Sequence, residues 1–202
     1  MSGRYALFRW SPTFAALPGF PADQLPHWNI APNAQVLLLR HVAGERQLSR
    51  ARWGLTPPWL TDLSKTPAQA RAETLAEQPM FRQAFRQRRG LLPANGFYEW
   101  RGSVRKHPYW MTGEGSLLYF AALWEAYPVE GHVYLSTALV TQAAANQRRP
   151  LILDEAAQAI AEAIRLNPEE ADFYALEGGI RLQQKRFKAT LEAAERGLAV
   201  AP

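Results

Sequence analysis

The amino-acid sequence predicts a β-rich curled sheet or barrel with a few helices, followed by a helical C-terminal segment. Short aromatic, β-branched and aliphatic runs separated by Gly-containing turns dominate residues 91–140, which is typical of strands. After Leu153 the chain becomes rich in Ala, Glu and Leu and reads as helix. We therefore predict two domains, residues 1–153 and 154–202.

The first elements follow from local signals. A short strand opens residues 4–20, and the three prolines of residues 21–32 predict a loop. Residues 36–40 read as a buried strand, and the turn at residues 43–46 leads to a partner strand that ends at residues 52–55.

A helical stretch and a series of strands come next. Phe81 and Phe85 repeat at a spacing of four, which predicts helix in part of residues 67–89, and Gly90 is expected to end it. The strands expected after Gly90 cover residues 91–93, 97–101, 108–111, 117–124 and 132–140.

The C-terminal segment contains an internal repeat. Residues 163–168 recur as residues 197–202, an offset of 34 that is the period of the tetratricopeptide repeat. Residues 155–202 resemble such a repeat, although an ordinary amphipathic helical hairpin is the alternative. The segment is acidic, and we expect it to offer a site for a protein partner.

Composition excludes several functions. The chain has no cysteine, which rules out disulfides, thiolate zinc sites and a cysteine nucleophile. Its four histidines lack the spacing of metal ligands, and there is no glycine-rich phosphate loop, so we expect neither a metal nor a cofactor. No apolar run is long enough to span a membrane, and no signal-peptide pattern is visible, which predicts a cytoplasmic, nucleoid-associated protein without membrane contact.

Positive charge is concentrated in the first domain. Residues 1–153 carry 17 Lys and Arg against nine Asp and Glu, whereas residues 154–202 carry six against nine. Nearly all of the basic residues in the first domain are Arg, whose planar guanidinium suits phosphate recognition. Arg4, Arg71 and Arg148 are candidates for phosphate contacts, and surface salt bridges are the alternative role of each.

Two places in the sequence offer reactive groups. Removal of Met1, which the small Ser2 permits, leaves an α-amine that is nucleophilic near neutral pH, unless residues 1–4 are only a frayed terminus. Glu99 lies in an aromatic strand and shares a face with Phe97, where it is a candidate general acid or base. The alternative is a solvent-facing Glu on an edge strand.

Several tryptophans are candidates for contacts with unpaired bases, because aromatic rings stack on bases of any sequence. They are Trp53, Trp59 and Trp100. Packing in the core is the alternative role for each of them.

Six segments in order resemble one family, the SOS response-associated peptidases, also described as abasic-site processing proteins. They are Met1-Ser2-Gly3-Arg4, Trp28-Asn29-Ile30-Ala31-Pro32, Trp53-Gly54-Leu55 with Pro58-Trp59, Ala70-Arg71-Ala72-Glu73-Thr74, Asn95-Gly96-Phe97-Tyr98-Glu99-Trp100, and Arg148-Arg149-Pro150-Leu151-Ile152-Leu153. The resemblance covers residues 1–153.

The resemblance implies an α+β, mainly β fold that binds single-stranded DNA and captures abasic sites. The amine after the initiator Met would condense with the aldehyde of the opened sugar, after autocatalytic removal of Met1. It implies catalytic roles at Ser2, Gln69, Glu99 and Asn146. It also implies DNA contacts at Arg4, Asn29, Pro32, Trp53, Trp59, Arg71, Trp100 and Arg148.

The sequence departs from the family pattern at three of these positions. The usual Cys is Ser2, the usual Asn is Gln69, and the usual His is Asn146. The strand region that normally ends the family domain is absent, so we expect the barrel to have an open edge. These departures leave a second function open, that of a catalytically silent DNA-binding adaptor.

Overall fold

Strands dominate the residues that the computed structural model describes, which are 3–101, 105–113, 117–144 and 147–153. The strands are β1 (Arg4–Leu7), β2 (His27–Ile30), β3 (Gln35–Val42), β4 (Glu45–Trp53), β5 (Gln69–Arg71), β6 (Arg89–Ala94), β7 (Gly96–Arg101), β8 (His107–Thr112), β9 (Leu118–Val129), β10 (His132–Ala144), β11 (Gln147–Pro150) and β12 (Ile152–Leu153). The helices are α1 (Pro12–Ala15) and α2 (Arg82–Gln87), with a 3-10 turn at Leu63–Lys65. Within these residues, no helix is long and apolar enough to cross a membrane.

Five strands close into a barrel, which confirms the predicted β-rich fold. The strand order is β10-β4-β3-β6-β9, and β9 also pairs with β10 along their hairpin. This hairpin turns at Glu130 and Gly131, which both have positive φ. The expectation of an open barrel edge is therefore wrong. The long β9 pairs with β6 on one side and with β10 on the other, so the ring closes without additional strands.

The barrel is filled by aliphatic and aromatic side chains. Leu38, Leu48, Leu92 and Phe120 are all buried, and they belong to four different strands of the ring. Burying one such side chain stabilises a fold by about 1.5–3 kcal/mol. The core therefore fixes the positions of the strands that carry the polar residues discussed below.

A second sheet of four antiparallel strands, in the order β2-β1-β7-β8, packs against the barrel. Its inner face contributes Tyr5, whose ring lies edge-on to Trp53 at 5.3 Å and to Phe120 at 5.7 Å. The buried Asn95 side chain fastens the chain after β1, because its Oδ1 accepts hydrogen bonds from the backbone N–H groups of Phe8 and Arg9. The segment that follows β1 is thereby held beside the residue that precedes β7.

Three local predictions need correction. Residues 27–30 form β2 rather than loop, because they pair with β1. In residues 67–89 only Arg82–Gln87 is regular helix, and Gln69–Arg71 is a strand that pairs with β10. Gly90 lies within β6 instead of ending a helix: a Cβ there would lie 2.8 Å from Leu38 Cδ1 and 2.9 Å from the Leu39 carbonyl oxygen.

The predicted second domain, with its tetratricopeptide-like hairpin, lies outside the described residues. Residues 1–152 form one compact unit of the chain, and the site described next belongs to that unit.

Candidate functional site

Glu99 is fully buried on the inner face of β7. Its strand lies between β1 and β8, so the alternative of a solvent-facing Glu on an edge strand is wrong. Phe97 and Glu99 are both buried whereas Tyr98 and Trp100 are half-buried, as the alternation of a strand requires. A carboxylate held out of water in this way suits proton transfer.

The register of β1 leads the start of the chain toward Glu99. Arg4 pairs with Tyr98 and Tyr5 pairs with Phe97, so one further step of this register brings Gly3 to the level of Glu99. Ser2 lies outside the described residues. The direction of β1 is therefore the structural observation that bears on the predicted role of the N-terminal amine.

Arg4 and Asn29 lie together on the other face of this sheet. The Arg4 Nη1 group donates a hydrogen bond to Asn29 Oδ1 at 3.0 Å. Pro32 is exposed in the turn that follows β2. The next residue, Asn33, ties this turn to β4, since its Oδ1 accepts from Arg52 Nη2 at 2.6 Å.

Trp53 belongs to the core, which corrects the prediction that it contacts DNA. Only 1% of its surface is exposed, and its Nε1 donates to the Ala68 carbonyl oxygen at 2.7 Å. The ring also packs edge-on against Tyr5. Trp53 thus connects β1, which carries Arg4, with the residue that immediately precedes β5.

β5 carries Gln69 and Arg71 beside β10. The two strands are parallel, with Gln69 opposite Leu139 and Arg71 opposite Thr141. Gln69 is half-buried and Arg71 is exposed. Arg148 approaches the same threonine from β11, donating from Nε to Thr141 Oγ1 at 3.0 Å and from Nη2 to the Thr141 carbonyl oxygen at 2.8 Å. Two of the predicted phosphate-binding arginines therefore flank Thr141.

Glu73 is a site residue that sequence reasoning did not single out. One carboxylate oxygen accepts a hydrogen bond from Arg148 Nη2 at 2.6 Å, and the other accepts from the Ala143 backbone N–H at 2.9 Å. The hydrogen bond from Arg148 is the main cause that lowers the pKa of Glu73 to about 2. The only signal in the sequence is that Glu73 falls within the segment Ala70–Thr74.

Trp59 and Trp100 lie at the surface, unlike Trp53. Trp59 is 56% exposed and, with Pro58 and Gln83, lines a cleft of about 280 Å³. At the cleft, Arg88 forms an ion pair with the buried Glu125 at 2.9 Å. Trp100 is half-buried on the outer face of β7, with its ring 6.3 Å from that of Tyr98.

Comparison with protein families decides the assignment of this chain. The family model described as SOS response associated peptidase (SRAP) matches residues 1–177. The chain belongs to the SRAP family. The predicted resemblance is thereby confirmed, although its predicted end at residue 153 is too early. The part of the second segment up to residue 177 falls under the same SRAP model.

Individual SRAP relatives agree with this assignment. The chain is 32% identical over 191 residues to the abasic site processing protein YoqW of Bacillus subtilis, covering 85% of this chain and 83% of that protein. It is 30% identical over 171 residues to the abasic site processing protein YedK of Escherichia coli, covering 76% and 75%.

A solved structure shows the same fold. A crystal structure of a protein from Bacteroides thetaiotaomicron aligns with a TM-score of 0.67 at 19% identity, covering 86% of this chain and 85% of that protein. The likeness supports the β-rich SRAP fold with its closed five-stranded barrel and few helices.

Two predicted site residues of this SRAP chain, Ser2 and Asn146, lie outside the described residues. Among the side chains that the structure does describe, no group of three or more His, Asp or Glu is placed to hold a metal ion. The described site therefore consists of Glu99 with the start of β1, Arg4 with Asn29, and the group of Gln69, Arg71, Glu73 and Arg148 beside β10.

Proposed function

We propose that this SRAP protein binds single-stranded DNA and captures abasic sites through the amine of Ser2, within the response to DNA damage. Membership of the family and the names of its relatives support this function. The observation in the structure that carries it is the buried Glu99 on the strand against which the start of the chain is paired. Removal of Met1, autocatalytic by resemblance to the family, would expose the amine.

The proposed chemistry is formation of an imine. The neutral amine of Ser2 attacks the aldehyde carbon of the opened abasic sugar, and the resulting carbinolamine loses water to give a C=N bond. Glu99 moves two protons from the nitrogen to the oxygen. It protonates the carbonyl oxygen and takes a proton from the attacking amine, then protonates the hydroxyl, which leaves as water, and takes the second proton from the nitrogen. An α-amine has a pKa of about 7.7–8.0, so a sizeable fraction is neutral and nucleophilic at physiological pH.

Ser2, in place of the usual Cys, is expected to shorten the lifetime of the covalent link to DNA. A hydroxyl closes a ring on an imine less readily than a thiol does, so the link formed by Ser2 is expected to be reversible. Gln69 and Asn146, which take the places of the usual Asn and His, orient the sugar through hydrogen bonds. Asn146 brings no group that titrates near neutral pH.

Arginines and aromatic residues hold the DNA strand. Arg4, Arg71 and Arg148 contact phosphates, and Arg148 presents a guanidinium that is already oriented by Thr141 and Glu73. Asn29, Pro32, Trp59 and Trp100 contact sugars and bases around the abasic site. Such phosphate contacts make the affinity fall steeply with salt.

Reductive trapping of the imine with cyanoborohydride tests the proposed chemistry. The full chain is mixed with an abasic oligonucleotide and cyanoborohydride, and the intact mass of the product is measured. We expect loss of Met1 and one covalent adduct on the peptide that begins with Ser2. Ser2→Ala retains the amine and should still be trapped, whereas chemical acetylation of the terminal amine should abolish trapping. An adduct only on lysine side chains would refute the role of Ser2.

The second candidate is a catalytically silent adaptor that binds DNA with the first domain and a protein with residues 154–202. The replacement of three family residues, at positions 2, 69 and 146, favours it. In this proposal residues 155–202 form the tetratricopeptide-like hairpin. DNA binding without any trapping, together with a partner that is lost when residues 154–202 are deleted, would support the adaptor over the enzyme.

A further inference from the structure

Five aromatic rings form a continuous group on the outer face of the four-stranded sheet. Trp28 stacks on Phe8 at 3.9 Å with an interplanar angle of 17°, and Phe8 lies 6.2 Å from Trp110. Tyr98 lies 4.9 Å from Trp110 and 6.3 Å from Trp100. We call this group the aromatic platform. Its side chains lie on the opposite side of the sheet from Glu99.

The platform faces water to an unusual extent for such large rings. Trp28 is 59% exposed and Trp110 is 39% exposed. Phe8 covers one face of the Trp28 indole, so the exposed surface includes the other face. Gly96 makes room for Trp110, because a Cβ at position 96 would lie 2.5 Å from Trp110 Cζ2. Exposed rings in contact with one another are suited to take up a further flat ring by stacking.

The positive charge around the aromatic platform favours binding of a polyanion. Among the residues described in β1, β2, β7 and β8, Glu99 is the single carboxylate, and it lies on the inner face. Arg4 is next to Tyr98 on the outer face, and Arg9 is exposed directly after Phe8. A partner that combines flat apolar rings with a negatively charged backbone matches this surface, and single-stranded DNA has that chemistry.

We propose that the aromatic platform binds unpaired nucleobases of single-stranded DNA next to the abasic site. This inference rests on the proposed function and extends it to bases that flank the reacting sugar. The bases stack on Trp28 and Trp110, and Arg4 holds the intervening phosphate. Stacking does not depend on which base is present. We therefore expect the affinity for single-stranded DNA to depend on the length of the oligonucleotide and not on its base sequence.

Affinity for an undamaged 20-residue oligothymidylate tests the platform without any covalent chemistry. Trp28→Ala should weaken binding of the full chain by about tenfold, as removal of one stacking ring does in single-strand binders. Trp28→Phe should restore most of the affinity. Tyr134→Ala removes an aromatic side chain of similar exposure outside the platform and should leave binding unchanged. Equal affinities for Trp28→Ala and Tyr134→Ala, with equal melting temperatures, would overturn the proposal.

The salt dependence separates stacking from charge. Trp28→Ala should leave the slope of log affinity against log salt unchanged, whereas Arg4→Gln should reduce it by about 0.7, one phosphate contact on a single strand. Photocrosslinking of the unaltered protein to oligo-5-iododeoxyuridylate provides a check that needs no variant. Crosslinks are expected at Trp28 or Trp110, and crosslinks confined to residues outside the platform would count against it.

A comparison of two abasic substrates distinguishes failure of the platform from failure of the reactive site. We expect Trp28→Ala to trap 2-deoxyribose 5-phosphate, an abasic sugar without flanking bases, as fast as the unaltered protein does, and to trap an abasic 20-mer more slowly at limiting DNA. If neither substrate is trapped but Trp28→Ala still weakens oligothymidylate binding, the proposed imine chemistry is refuted and the base-binding role of the aromatic platform is supported. If trapping of the 20-mer is the same with and without Trp28, the platform is refuted.

Discussion

Replacing Glu73 by Gln should destabilise the protein in a pH-dependent manner, because it removes the carboxylate that pairs with Arg148. The hydrogen bond from Arg148 lowers the pKa of Glu73 to about 2 in the folded protein, whereas an unperturbed Glu has a pKa of about 4.3. A carboxyl with a lowered pKa stabilises the folded state above the unfolded pKa. That contribution is lost as the pH falls from about 4.3 to about 2.

The exposure of the pair sets the size of the effect. The Glu73 side chain is 47% exposed and that of Arg148 is 20% exposed, so solvent screens their attraction. Exposed ion pairs contribute about 0.2–1 kcal/mol, and the short contact places this pair near the upper value. The amide oxygen of the substituted side chain can still accept the hydrogen bond from Ala143, so that bond does not add to the loss. We expect Glu73→Gln to lower the free energy of unfolding by about 1 kcal/mol at pH 7.

Urea unfolding of Glu73→Gln, Arg148→Met and the double variant measures the coupling between the two side chains. The coupling energy should be about 1 kcal/mol at pH 7 and should approach zero near pH 2. Glu77→Gln, an exposed carboxylate in the same segment, provides the control and should leave the stability unchanged. A coupling energy of zero at pH 7, or one of the same size at both pH values, would refute the reasoning.

The remaining predictions concern the other parts of the site. Glu99→Gln should slow borohydride trapping by about 100-fold while the affinity for undamaged single-stranded DNA stays the same, and an unchanged trapping rate would remove Glu99 from the mechanism. Arg71→Gln should weaken single-stranded DNA binding severalfold at low salt and have little effect at high salt, as measured by fluorescence anisotropy; an equal loss at all salt concentrations would contradict a phosphate contact. Trp53→Ala should lower the free energy of unfolding by about 3–5 kcal/mol in urea, and a loss below 1 kcal/mol would contradict its place in the core.

The strands and the face of Glu99 were predictable because they depend on short-range patterns. Alternation along β7 places Phe97 and Glu99 on one side, and the structure buries both. The hairpin of β3 and β4 follows from the turn at Ala43 and Gly44, which both have positive φ. These features require only neighbouring residues, so a single sequence contains the information.

Features that depend on distant pairing were not predictable. The barrel closes because β10 pairs with β4 and β9 pairs with β6, strands that are distant from one another in the sequence, and no local pattern marks this closure. Gly90 resembles a helix stop, yet it serves the close approach of β6 to β3. The pairing of Glu73 with Arg148 joins residues 75 positions apart, so only the folded chain identifies Glu73 as part of the site.

The burial of individual tryptophans was not predictable from the sequence either. Trp53 and Trp59 are six positions apart in the sequence, and both were candidates for contacts with bases. The structure buries Trp53 beneath Tyr5 and exposes Trp59 beside a cleft. Residue type alone does not separate these roles, since aromatic rings serve equally in cores and in binding sites.

The intact mass of the full chain after incubation with abasic DNA and cyanoborohydride tests the central claim most directly. We predict that the protein lacks Met1 and carries one DNA adduct at the amine of Ser2, and that the adduct requires the reductant because the imine is reversible. A protein that retains Met1, or one that binds abasic DNA without any adduct at Ser2, would contradict the proposed function.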